Sequence, residues 1–94
     1  MTDTDPDYGV VRDVQALGRI ARSHRKRRRL TLETVSGLGN LSPRFLSEFE
    51  RGKETAEIGK VLKALSLLGL EVVVQPRGWS KRKPIPSTDP QEKA

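Results

Sequence analysis

The chain has 94 residues, a net charge of +6 and no cysteine. That length suits a single small domain with tails and a modest core, and the missing cysteine excludes a disulfide framework or a thiolate metal site. One histidine, His24, argues against an all-protein zinc or di-iron centre, and no apolar run approaches the roughly 20 residues that span a bilayer.

Residues 1–11, MTDTDPDYGVV, hold Asp3, Asp5 and Asp7 and no base, and carry no periodic pattern before the closing pair Val10 and Val11. With Arg12 they are expected to form a flexible acidic N-terminus over 1–12. A signal peptide would be basic and then apolar, so this beginning points to a soluble, intracellular protein. Asp13 suits the N-cap of a helix from Val14 to about Arg27, with Val14, Leu17, Ile20, Ala21 and His24 on its apolar side. The run HRKRRR closes it. Cations in a last helical turn are favoured by the helix dipole, so part of that run needs no ligand. His24 reads as a packed or half-exposed face residue, because no acid or nucleophile is placed to work with it.

Thr31 is the expected cap of a second helix that turns Leu32, Val35 and Leu38 to the core. Gly37 weakens this helix by about 1 kcal/mol relative to Ala, so tertiary packing must hold it. Gly39 and Asn40 supply a turn, Asn40 by adopting the left-handed conformation, and the small Ser36 leaves room for the next helix to cross. That third helix is signalled by Ser42 before Pro43, since a Ser hydroxyl caps a first turn and Pro at the first helical position loses no hydrogen bond. Leu41 and Leu46 occupy the staple positions around the cap. At about 100° per residue, Phe45, Leu46 and Phe49 share one face while Arg44, Ser47, Glu48 and Arg51 share the other. Residues 30–53 thus read as a helix-turn-helix. The same division also suits an ordinary amphipathic helix with a solvated charged face.

After Gly52 and Lys53, Thr55 is expected to open a fourth helix reaching Leu68, with Ile58, Val61, Leu62, Leu65 and Leu68 on one stripe and Gly69 as its C-cap. Leu70, Glu71, Val72, Val73, Val74 and Gln75 follow as a β-branched run with strand propensity. A lone strand has unpaired backbone groups on both edges, and pairing with the same strand of a second copy across a two-fold axis is the simplest remedy. A domain over 13–75, with a dimerisation strand at 70–75, is therefore expected. From Pro76 the chain turns rich in Pro, Lys and Ser, so 76–94 reads as a disordered basic tail. Trp79 and Ile85 stand out in it, and Trp79 either anchors a partner protein or folds back over the strand.

The charge is unevenly placed. Residues 12–53 carry eleven Lys or Arg against four acids, whereas 54–75 carry two against three. The positive field coincides with the helix-turn-helix, where a phosphate-binding face needs it. Neither a nucleophile with its base nor a phosphate-cradling glycine loop is legible, which argues against an enzyme.

The segments LGRIARSHR, the LT at 30–31, SPRFLSEFERGK and TAEIGKVLKALSLLGLEVVV resemble the XRE or Cro/cI-like family of helix-turn-helix regulators, and in particular the HipB-type antitoxins, over residues 17–78. The resemblance implies an all-α, lambda-repressor-like bundle of four or five helices plus one C-terminal strand that pairs across a homodimer. It implies a cytoplasmic bacterial repressor, at the nucleoid when bound, that places its third helix in the major groove of double-stranded operator DNA and autoregulates its own promoter. It further implies a partner, a HipA-like serine/threonine kinase toxin that the antitoxin binds and inhibits, with Trp79 and Ile85 as toxin-binding candidates. No cofactor and no metal are implied. An XRE-family regulator without a toxin is the alternative.

Carried onto this chain, the base-facing positions are Pro43, Arg44, Ser47 and Glu48, phosphate contacts come from Thr31, Ser42, Arg51 and Lys53, and Arg25 with Glu50 forms a structural ion pair. Arg44 is the strongest reader, since a guanidinium can bridge the two major-groove acceptors of guanine. Glu48 either accepts from cytosine or orients Arg44 one turn away. The chain departs from the family where Leu32 replaces the usual glutamine, Asn40 the turn glycine and Pro43 a polar base reader. Readout is then expected to rest more on Arg44 and on DNA shape.

Overall fold

In the computed structural model, which describes residues 8–78, four helices follow one another: α1 (Val14–Arg27), α2 (Leu32–Gly39), α3 (Pro43–Glu50) and α4 (Ile58–Leu68). Three of the four starts are set by one side chain each. Asp13 accepts from the Ala16 amide at 2.8 Å, Thr31 from Thr34 at 3.0 Å and Ser42 from Phe45 at 2.9 Å, satisfying donors that a first turn leaves open. Helix α4 starts later than its sequence pattern suggests. Thr55 lies in a turn, and the helix begins behind Glu57, whose side chain makes no capping bond. Two helices stop at left-handed residues, Asn40 at φ 57° and Gly69 at φ 86°, and past Gly69 the Leu70 amide returns to the Leu65 carbonyl at 2.9 Å.

The core gathers Ala21 from α1, Val35 from α2, Leu46 and Phe49 from α3, and Val61, Ala64, Leu65 and Leu68 from α4, with Leu41 from the turn. Leu41 and Leu46, on either side of the Ser42 cap, are both buried. Close helix approach depends on Gly18 above all, since what lies over it is backbone, whereas over Gly39 it is the end of a side chain. A Cβ on Gly18 would lie 2.5 Å from the Phe49 carbonyl oxygen and 2.8 Å from that of Glu50, and a Cβ on Gly39 would overlap Leu67 of α4. Gly39 is therefore the buried last residue of α2 and not part of the turn. The Ser36 hydroxyl also donates to the Leu41 carbonyl and ties α2 to the turn.

One further expectation is corrected. Leu38 is 63% exposed; α2 is barely two turns long, and Leu41, beyond the turn, is buried in the core. Ile58 and Leu62 share the expected stripe with Val61, Leu65 and Leu68 and stand 67% and 46% exposed among the described residues. Residues 70–75, expected to pair with a second copy, have no strand structure in the single chain, where the described residues contain no second strand edge. They line, with residues 8–11 and the apolar side chains of α1 and α4, an open groove of about 980 Å³. Val72, Val73 and Val74 remain exposed there. The Trp79 and Ile85 candidates, like the rest of the tail and residues 1–7, lie outside the described residues.

Candidate nucleic-acid interface

The expected reading face is assembled by the short helix α3. With Leu46 and Phe49 buried beneath it and Phe45 half-buried, the helix can present only its other side. Pro43, Arg44 and Arg51 are exposed there, and Ser47 and Glu48 are half-buried. The Arg44 side chain is 87% exposed and is held at one point, its Nε donating to Glu48 Oε2 at 3.2 Å. Its two terminal nitrogens have no hydrogen-bond partner among the described residues. The second Glu48 oxygen accepts from Lys53 Nζ at 3.0 Å. Those two cations, Lys53 foremost and then Arg44, hold the Glu48 carboxyl below its usual range. Both oxygens of Glu48 are thus engaged, and of the two roles considered for it the geometry favours orienting Arg44.

Thr31 and Ser42 are exposed N-caps. Capping uses a hydroxyl lone pair and leaves the hydroxyl proton free to donate. For Ser42 that proton can point to solvent, whereas the Thr31 hydroxyl also meets Thr34 Oγ1 at 2.9 Å. Arg51 caps α3 through its backbone amide and leaves its side chain exposed. The structure therefore brings Arg44, Glu48 and Lys53 into one ionic cluster, and sets Thr31 and Ser42 at the starts of the two helices of the motif.

Beneath this face lies the buried pair Arg25 and Glu50, 8% and 7% exposed. Arg25 Nε and Nη2 donate to the two carboxylate oxygens at 2.7 and 2.9 Å, and Nη1 donates to the Leu30 carbonyl at 2.8 Å. The bond to Glu50 raises the guanidinium above its usual value, against the opposing effect of burial. One side chain of α1 thereby fixes both the end of α3 and the turn into α2.

Contacts at the other end of α4 were not legible in the sequence. His24 Nε2 lies 2.8 Å from the Leu68 carbonyl and its Nδ1 2.6 Å from the Tyr8 hydroxyl. A carbonyl only accepts, so Nε2 carries the proton, and in the neutral ring Nδ1 accepts from Tyr8. Arg28 Nη1 donates to the same carbonyl at 3.2 Å. Among the described residues no helix is long and apolar enough to cross a membrane, and no group of acidic or histidine side chains is clustered to hold a metal.

Over 66 residues, 70% of this chain and 87% of the relative, the sequence is 36% identical to the uncharacterized HTH-type transcriptional regulator y4mF of Sinorhizobium fredii. No protein-family model matches the chain. No solved structure matches it either.

Proposed function

The chain belongs to the family of HTH-type transcriptional regulators, and from that premise we propose that it is a sequence-specific repressor that binds its own promoter as a homodimer. The observation that carries this reading is the α3 face, on which a tethered guanidinium presents two nitrogens with no hydrogen-bond partner among the described residues, beside the positive field of residues 12–53. Arg44 reads guanine through those nitrogens, Glu48 orients it, and Pro43 and Ser47 complete the base-facing surface. Thr31, Ser42, Arg51 and Lys53 hold phosphates. The protein acts in the bacterial cytoplasm, at the nucleoid when bound.

The homodimer forms through residues 70–75, which pair with the same residues of a second copy. Its support is that the exposed apolar side chains Ile58, Leu62, Val72, Val73 and Val74 line one groove among the described residues, as at a docking surface. The resemblance to HipB-type antitoxins supports a further step, in which the repressor is the antitoxin of a HipA-like kinase in a type II toxin-antitoxin operon, with Trp79 and Ile85 in the tail as toxin contacts. The same fold without a toxin is the alternative reading, and co-purification of the products of the native operon separates the two. Binding itself is tested by anisotropy on a duplex covering the chain's own promoter. Arg44→Ala is expected to lose about 1–3 kcal/mol on that duplex and little on a scrambled one; equal binding of wild type and variant to the promoter would remove α3 as the reader.

A further inference from the structure

The HRKRRR run is divided by the fold. Arg25 is buried against Glu50 and Arg28 is bound to the Leu68 carbonyl, so both have work within the protein. Lys26, Arg27 and Arg29 are exposed, and none has an acidic partner within 4 Å among the described residues. A helix dipole accounts for cations in the last turn of α1, but Arg29 lies beyond the end of that helix.

Arg29 is also one of only two non-glycine residues with positive φ among the described residues, at 61°. The other, Asn40, is of a type that tolerates this region, whereas an arginine there sacrifices stability that a glycine would keep. The strain is held in place. The Arg29 amide bonds the Lys26 carbonyl at 2.9 Å, the Leu30 amide bonds the Arg25 carbonyl at 3.0 Å, and the Leu30 carbonyl is gripped by Arg25. Because Arg25 is in turn bound to Glu50 at the end of α3, the turn carrying Arg29 is braced directly to the reading helix.

We infer that Arg29 is a phosphate-binding residue, and that its guanidinium grips the DNA backbone beside the contacts of Thr31. This rests on the reading of α2 and α3 as the DNA-binding motif. A phosphate contact is blind to base sequence and acts through counterion release, so it has a signature distinct from that of Arg44.

The test uses the full-length chain, a duplex covering its own promoter and a scrambled duplex of equal composition, titrated by fluorescence anisotropy between 50 and 200 mM KCl. Arg29→Gly keeps the left-handed backbone and removes the cation. It is expected to weaken binding by the same factor on both duplexes, roughly five-fold at 0.15 M salt, and to lower the salt slope by about 0.9, the value for one phosphate. Arg29→Lys should keep the slope, and the thermal midpoint of Arg29→Gly should match or exceed that of wild type. An unchanged slope in Arg29→Gly, while Arg44→Ala loses its promoter preference, would overturn the role of Arg29 alone. Wild-type binding by both variants would overturn the DNA-binding reading beneath it.

Discussion

Replacing Glu50 by Gln removes one charge and almost no volume, and it should be among the most damaging conservative changes in this protein. The Arg25 guanidinium makes three hydrogen bonds, two to the Glu50 carboxylate at 2.7 and 2.9 Å and one to Leu30. A glutamine can accept only one of the first two, and its amide hydrogens meet the donors of Arg25 head on. The buried guanidinium is then left without a counter-charge, a loss of about 3–5 kcal/mol. A domain of this size is stable by about 5–10 kcal/mol, so the variant should lose a third or more of its stability in urea denaturation followed by circular dichroism. Swapping both residues for leucine should cost less than either single change, because no charge is then buried alone. On the arginine side the contribution has no pH dependence near neutrality. Its pKa is raised above the usual arginine value, so the stabilisation is complete throughout the neutral and mildly alkaline range and is lost only as pH rises beyond that value. A loss under about 1 kcal/mol in Glu50→Gln, or additive losses in the double variant, would refute the reasoning that this pair braces the fold.

Two glycines in neighbouring helices should respond oppositely to alanine in the same denaturation assay. A Cβ at Gly37 meets nothing within 4 Å, so Gly37→Ala should stabilise α2 by about 0.5–1 kcal/mol, whereas Gly18→Ala drives a methyl into the α3 carbonyls and should cost about 1–3 kcal/mol. Ile58→Asp tests the proposed dimer, since a side chain 67% exposed in the single chain contributes little to its fold. Sedimentation should show the dimer weakened about ten-fold or more while the unfolding of the monomer is unchanged, in keeping with the roughly 1.5–3 kcal/mol of burying one such side chain.

The parts legible in the sequence are those decided by one or two neighbouring residues. Asp13, Thr31 and Ser42 cap because a short oxygen side chain next to an apolar period has few other uses, and Asn40 and Gly69 stop helices because they accept positive φ. Periodicity identified which residues share a side, but not which side finds a partner within the chain. Leu38 was misplaced because α2 proved too short to use its third apolar position, and the α4 stripe, read correctly, has Ile58 and Leu62 exposed among the described residues. In the proposed dimer the fate of residues 70–75 depends on a second molecule, and a single sequence states their propensity and not their structure. The bond of Tyr8 to His24 joins residues 16 apart across a segment without periodicity, and no local signal announces it. Arg25 looked like one of six basic residues in a run; its pairing with Glu50 was suggested only by family likeness.

The same helix that braces the reading face also holds the end of α4. Gly18 and Arg25 of α1 seat the last turn of α3, while His24 and the C-capping Arg28 hold the Leu68 carbonyl, two residues before the apolar run that is proposed to dimerise. An eight-residue helix such as α3 has almost no stability of its own in water, so the direction of Arg44 is inherited from what lies beneath it. In the proposed dimer, therefore, α1 ties each reading helix to the contact between the copies. Two readers must stand about 34 Å apart to meet successive turns of one DNA face, and in the proposed dimer a packed helix and a buried ion pair lie on the path between each reader and the contact. Weakening the brace at Arg25 should consequently loosen operator recognition even though Arg25 touches no base.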